Sequence, residues 1–291
     1  RLSKVKPELA AATAKAAIEG GIMSEAKDMC RLKHIAGGRD EDKNPVALRF
    51  QKDNYIGQGK VKISQTFMNH LQATNDPRIA VFCSLKDGNA DPSIQKGLPN
   101  GYDKNTISTN SDYTGKLEDY SNFNTNVILR EDAPTLLLMP SESKLLQAEA
   151  ALRNWVAGDP EALYKEAICL SMQEQKEAYG VSISEQQVNN YLAQNLFANA
   201  ASQEEKLEVL GNEYWVTTFM NGYESYANWR RCGYPKLTPT HYAGNESNGQ
   251  IPRRLPYAID EYTINKANVE QAVQQQGADN LTTRIWWDVA K

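Results

Sequence analysis

The sequence holds only four cysteines and three histidines among 291 residues, and it has no long apolar run. Each scarcity excludes something. Cys30, Cys83, Cys169 and Cys232 lie far apart and form no CxxC pair, so neither a zinc site nor a thiol–disulfide motif is signalled. Cys169 sits by an apolar helical stripe, where burial as a small hydrophobe is the plain expectation. Cys30 and His34 are one helical turn apart, but two ligands do not make a metal site. No stretch approaches the ~20 apolar residues of a membrane-spanning helix. There is no long block of one charge sign, and the net charge of −4 argues against nucleic acid, which calls for clustered Lys and Arg. The nucleophile elbow, the phosphate loop and the HExxH metal motif are all absent. No signal peptide or lipidation cysteine follows Arg1. RLSKV reads as the last turn of a helix already under way, so the expectation is the C-terminal part of a longer protein.

What is present is helical grammar. In residues 141–180, Leu145, Ala148, Leu152 and Val156 recur at three- and four-residue spacing and form one apolar stripe. Gly158 reads as the C-cap of that helix, Asp159 as the N-cap of the next, and Pro160 as its first residue. Leu163, Ala167 and Leu170 continue the apolar face, and Ala148, Ala150 and Ala151 allow close approach. This is the hairpin pattern of a tetratricopeptide-type repeat, and it needs neighbours to bury its stripe.

Residues 1–29 read as a partial helical repeat, opened by Pro7 and stopped by Gly20-Gly21. Residues 30–140 turn polar and turn-rich, with one short helix placing Phe67, Met68 and Leu71 on a face and ending at Asp76-Pro77. A long ordered insertion on a helical frame is where binding is usually found. Residues 141–235 read as the repeat scaffold. Ser184 with Gln187 and Ser202 with Glu205 form capping boxes there. The second box opens one long helix over 204–231, carrying Tyr214, Trp215, Phe219, Tyr223, Tyr226 and Trp229 as core residues. Residues 236–291 read as an irregular tail, with Trp286 and Trp287 docking back on the helices.

Four segments in this order, AEAALRNWVAGDPEALYKEAICLSM, NGYESYANWRRCGYPKL, IPRRLPYAIDEYTIN and RIWWD, resemble the C-terminal region of the SusD/RagB-like proteins. NDPR at 75–78 and the opening RLSKVKPELA fit the same pattern, and the likeness covers essentially the whole chain. The resemblance implies a mainly α fold of tetratricopeptide-like hairpins with long loop-rich insertions, in a single domain fragment over 1–291. It implies a non-enzymatic protein of the outer-membrane surface that captures a nutrient glycan, or a peptide in some branches. It also implies a SusC-like TonB-dependent transporter as partner and a lipid anchor on an N-terminal part that this sequence does not include. A helical-repeat scaffold with no small-molecule ligand is the alternative outside the family.

Sugar capture needs flat aromatic faces flanked by hydroxyl-binding side chains. In the loop-rich segment Tyr55, Tyr102, Tyr113 and Tyr120 supply rings, with Asn110, Asp112 and Asn122 as polar partners. The plainer reading is that these tyrosines pack loops onto helices. Glu149, Glu174, Glu213 and Glu224 lie on helices, and nothing marks two of them as a catalytic pair. Arg230, Arg231, Arg253 and Arg254 read as partners of carboxylates and helix ends. No cofactor is expected. Asp87-Gly88-Asn89-Ala90-Asp91 resembles the start of a calcium loop, but Pro92 and Leu98 stand where the EF-hand glycine and glutamate belong, leaving room only for a looser site.

Overall fold

The computed structural model describes residues 1–52, 61–194, 196–240, 242 and 244–290. Twelve helices lie in order along them: α1 Pro7–Glu19, α2 Pro45–Lys52, α3 Gln65–Ala73, α4 Ile79–Phe82, α5 Pro140–Leu152, α6 Pro160–Tyr179, α7 Glu185–Ala193, α8 Leu196–Asn199, α9 Gln203–Thr217, α10 Gly222–Cys232, α11 Glu261–Ile264 and α12 Lys266–Gln276. Strands among the described residues are two to four residues long. β1 Cys30–Leu32 pairs antiparallel with β4 Thr135–Leu138, and β2 Cys83–Ser84 with β3 Asn122–Phe123. The fold is mainly α, as the sequence implies.

Local signals explain most helix starts. The Asp159 carboxylate accepts from the Glu161 amide, and Pro160 occupies the first turn of α6. The side chains of Ser184 and Ser202 cap α7 and α9 in reciprocal capping boxes. Gly180, in the left-handed region at φ +76°, ends α6. Two boundaries differ from expectation. The stripe of α5 stops at Leu152 rather than Gly158, because Asn154 turns the chain at φ +59°. Leu152 and Val156 nevertheless pack on the core. The single helix expected over 204–231 is two. Met220 sits at φ +73°, and the Asn221 side chain caps α10 by accepting from the Glu224 amide. Tyr223 therefore points outward at 94 % exposure instead of joining the core. Cys169 is half-buried.

The hairpin α5–α6 is antiparallel. Ser141, at the start of α5, donates its amide (2.8 Å) and its hydroxyl (2.5 Å) to Glu174 near the end of α6. Burial raises the Glu174 pKa. Leu145, Ala148 and Ala151 of α5 pack with Leu163, Tyr164 and Ala167 of α6, with Tyr191 of α7, and with Leu210 and Tyr214 of α9. A second cluster holds Phe67, Met68 and Leu71 of α3, Val81 and Phe82 of α4, and Ile128 and Leu129; Val216 of α9 and Tyr179 of α6 reach into it.

Two buried arginines tie these layers. Arg78, wholly buried, forks onto Asp76 (2.9 and 2.5 Å) and lies 2.9 Å from Glu213 on α9, while its Nη1 donates to Ser171 on α6. Burial opposes its charge, yet the two carboxylates hold its pKa well above the ordinary arginine value. Arg231 of α10 grips Glu149 of α5 through two bonds of 2.6 and 2.7 Å. Glu149 is pushed down to about 2: burial works against ionisation, and Arg231 outweighs it.

The C-terminal stretch is less irregular than its composition suggests, since α12 runs for 11 residues. Of the paired tryptophans only Trp287 docks on the helices, for Trp286 is 66 % exposed. The Arg230 guanidinium lies 4.7 Å from the Trp287 ring centroid, and Arg284 donates to the buried Asp288 (2.5 Å).

Candidate ligand-binding cleft

The loop-rich face is assembled on the N-terminus of α3. Ser64 caps it by accepting from the Phe67 amide. The chain at 97–98 lies alongside: the Leu98 amide donates to the Ile63 carbonyl and the Gln65 amide to the Leu98 carbonyl, both at 2.8 Å. Gly97 permits this, for a Cβ there would sit 2.5 Å from the Gln65 Cα. Gly101, at φ +81°, brings the C-terminal stretch equally close, since a Cβ there would meet the Thr240 Cβ at 2.5 Å. One residue pair beyond, the Tyr242 hydroxyl donates to Asp103 at 2.7 Å. With the Asn105 amide and Thr106 hydroxyl, that bond pushes Asp103 down to about 2.

Between these segments lies a cavity of about 380 Å³. Ser64, Thr66 and Asn100 form one wall, and Thr238, Thr240, Asn245, Ser247 and Gln250 the other. Trp215 of α9 also lines it, half-buried, its ring edge-on to Phe67 (centroids 4.9 Å apart) and 5.6 Å from His70. Burial lowers the His70 pKa, keeping the imidazole neutral at neutral pH. No described residue lining this cavity carries a charged side chain. Two cavities elsewhere differ in that respect. One of about 570 Å³ is lined by Lys4, Glu149, Arg153, Glu204, Arg231 and Lys236, and one of about 400 Å³ by Arg1, Glu142, Glu149, Glu224 and Arg231. Hydroxyls and amides beside an indole and apolar residues such as Leu237, Ile251 and Leu281 suit an uncharged, hydroxyl-bearing ligand that presents an apolar ring face.

None of the described residues singled out from sequence is among those that line this cavity. Tyr55 lies outside the described residues. Tyr102 is exposed next to Gly101. The Asn110 side chain accepts from the Asp112 amide (2.8 Å), and Asp112 accepts from Gln65 (2.9 Å), tying the loop to the start of α3. Tyr113 stacks on Tyr120 with centroids 5.9 Å apart and planes 6° apart. Tyr120 and Asn122 are corrections, because both are closed to solvent. Tyr120 is fully buried, its hydroxyl donating to the Asp112 carbonyl and accepting from the Thr114 amide, both at 2.9 Å, so it pins the loop from inside. Asn122 is 2 % exposed in β3. Trp215, expected as core, does pack half-buried on the Phe67 cluster and lines the cavity as well, whereas Thr66, Asn100, Thr238 and Thr240 were not singled out from sequence. The available signal was the Thr-Pro-Thr run at 238–240, which puts hydroxyls on alternate residues of an extended segment.

In the stretch 87–91 the side-chain oxygens serve the backbone. Asp87, Asn89 and Asp91 accept in turn from the amides of Asn89, Asp91 and Ser93. Among the described residues no group of three His, Cys, Asp or Glu is placed to hold a metal ion. The His34 Nε2 lies 2.9 Å from the Thr135 hydroxyl, while Cys30 is exposed on β1.

Known structures share this architecture. A chitin-binding protein superposes with a TM-score of 0.83 at 29 % identity, over 99 % of this chain and 61 % of its own. A SusD-like protein of the Bacteroidetes gives 0.79 at 26 % identity over 99 % of this chain and 67 % of its own. A chitin-binding SusD homologue of Flavobacterium johnsoniae gives 0.75 at 27 % identity over 100 % of this chain and 61 % of its own. The chain thus spans roughly three fifths to two thirds of the length of these structures. No curated protein matches it by sequence. The family described as starch-binding and associating with the outer membrane matches residues 1–258, and with the shared fold this establishes that the chain belongs to the SusD-like family.

Proposed function

We propose that this chain carries the ligand-holding face of a non-enzymatic glycan-capture protein of the outer-membrane surface, which passes its ligand to a SusC-like TonB-dependent transporter. The observation that carries the reading is the cleft itself, in which the half-buried Trp215 shares the wall with hydroxyl and amide side chains and with apolar ones such as Leu237 and Ile251, and no described lining residue is charged. A sugar ring offers an apolar face to an indole and equatorial hydroxyls to Asn, Thr and Gln. Hydrolysis of a glycoside asks for two carboxylates across the bond, and none of the described lining residues is acidic. The names of two similar structures, both chitin-binding, favour an N-acetylhexosamine polymer as the first ligand to try. A lipid anchor on a preceding segment belongs to the same proposal.

The test is titration calorimetry with chito-oligosaccharides and malto-oligosaccharides, a peptide library serving as the competing class. Trp215→Ala is expected to weaken glycan binding by up to about tenfold, because stacking on an aromatic ring contributes roughly 0.5–1.5 kcal/mol. Binding of peptides but not glycans, or glycan binding indifferent to Trp215 and Asn100, overturns the reading. Release of reducing ends from either polysaccharide overturns its non-enzymatic part.

A further inference from the structure

The cleft has a counterpart at the other end of α3. A cavity of about 470 Å³ lies there, lined by Gln72, Asn75, Ser93, Gln187 and Asn190 among others. It too offers amides and a hydroxyl. Its one carboxylate, Asp76, is closed around Arg78 and has no exposed side-chain surface. Two neutral hydrogen-bonding cavities thus flank a single helix.

The sequence of α3 links them. Thr66, Asn69, Gln72 and Asn75 follow one another at i, i+3, i+6 and i+9, and all four are exposed. Steps of three residues drift about 60° around a helix each time, so this row crosses the solvent face obliquely. It starts at Thr66 on the Trp215 flank, inside the first cavity, and ends at Gln72 and Asn75, inside the second. Asn75 belongs to the row only because it turns just past the helix end at φ +47°, a conformation that asparagine tolerates. Ala73 is exposed beside the row and adds no bulk. Gln72 donates to the Gln95 carbonyl (2.9 Å), and its own side-chain oxygen accepts no hydrogen bond from a described residue. The Asn69 amide makes no side-chain hydrogen bond to a described residue. About 9 Å of helix axis separates Thr66 from Gln72, so with a cavity at either end the whole path exceeds a disaccharide.

We infer that the two cavities are the ends of one track, and that the ligand is an extended, uncharged oligosaccharide chain lying obliquely over α3. This rests on the glycan reading above and deepens it: the protein selects length, and Asn69 and Gln72 hold the middle of the chain.

Calorimetry on the full chain with chito-oligosaccharides and, separately, malto-oligosaccharides of two to eight sugars tests it. Affinity is expected to climb with length and level off once both cavities are filled. In Asn69→Ala/Gln72→Ala, and independently in Asn190→Ala, the longest oligomers should lose about tenfold in affinity while the trimer that fills the first cavity alone is unchanged. These side chains are exposed, so unchanged thermal melts will show that the variants fold. A disaccharide that binds as tightly as an octamer overturns the track and leaves the cleft standing. So does an equal loss for trimer and octamer in the variants. If neither series binds at any length, the glycan reading falls and the track falls with it.

Discussion

Replacing Glu142 by glutamine isolates a proton that the fold stores between two helices. The Tyr214 hydroxyl lies 2.7 Å from Glu142 and 2.8 Å from Glu224. It has one hydrogen for two carboxylates. Glu224 also pairs with Arg1 at 2.6 Å, and although burial works against it, Arg1 and Tyr214 hold its pKa below the ordinary value. Glu224 is therefore the ionised member and takes the tyrosine hydrogen. Glu142 must supply its own. At 6 % exposure it does so, because burial raises its pKa from 4.5 to about 7. Below pH 4.5 both the folded and unfolded chains hold this proton. From there to pH 7 only the folded chain keeps it, so stability falls as pH rises through that window and is level above it. The gap between 4.5 and about 7 corresponds to a loss of about 3 kcal/mol. Glutamine keeps the shape and a donor without titrating. His70, whose pKa burial lowers, acts in the opposite sense, and Glu174, whose pKa burial raises, acts in the same sense. Both are present in either protein and cancel in the comparison. Urea unfolding of wild type and Glu142→Gln from pH 4 to pH 8 should show the variant gaining about 3 kcal/mol on wild type across the range. A difference that stays constant with pH would refute the assignment of the proton to Glu142.

Four further outcomes follow from the geometry. Arg78→Met strands Asp76 and Glu213 in the interior and should cost about 3–5 kcal/mol by urea unfolding; adding Asp76→Asn and Glu213→Gln should restore most of it. Gly101→Ala places a methyl against Thr240 at a left-handed backbone position, so it should part the cleft walls, lower oligosaccharide affinity about tenfold and cost about 1 kcal/mol or more of stability by urea unfolding. Tyr120→Phe should cost about 1 kcal/mol, since the Thr114 amide loses its acceptor, whereas Tyr102→Ala should change unfolding by less than about 0.5 kcal/mol.

Helix starts were legible because a cap is a local bargain between one side chain and the next turn. Pro7, Asp159-Pro160, Ser184 and Ser202 each carry their signal within three residues. Phe67, Met68 and Leu71 were legible as a core face for the same reason. The break between α9 and α10 was harder. Its mark is Asn-Gly at 221–222, embedded in a run whose aromatic spacing imitates one helix. The cleft was illegible because its walls are not neighbours in the chain. Trp215 counts as core by its helix and as lining by what fails to cover it, and only the placement of the stretch after Lys236 decides between them. Tyr113 and Tyr120 look alike in sequence. Stacking leaves one half-open and seals the other.

The bond between Asp103 and Tyr242 closes a loop of 139 residues. A polypeptide that stops before Lys236, whether still being made or clipped by a protease, owns Ser64, Thr66 and Asn100 but faces them with nothing. The far wall of the cavity is thus missing until the chain has been made past residue 252, and a cut just before Lys236 removes that wall while sparing the paired helices beneath.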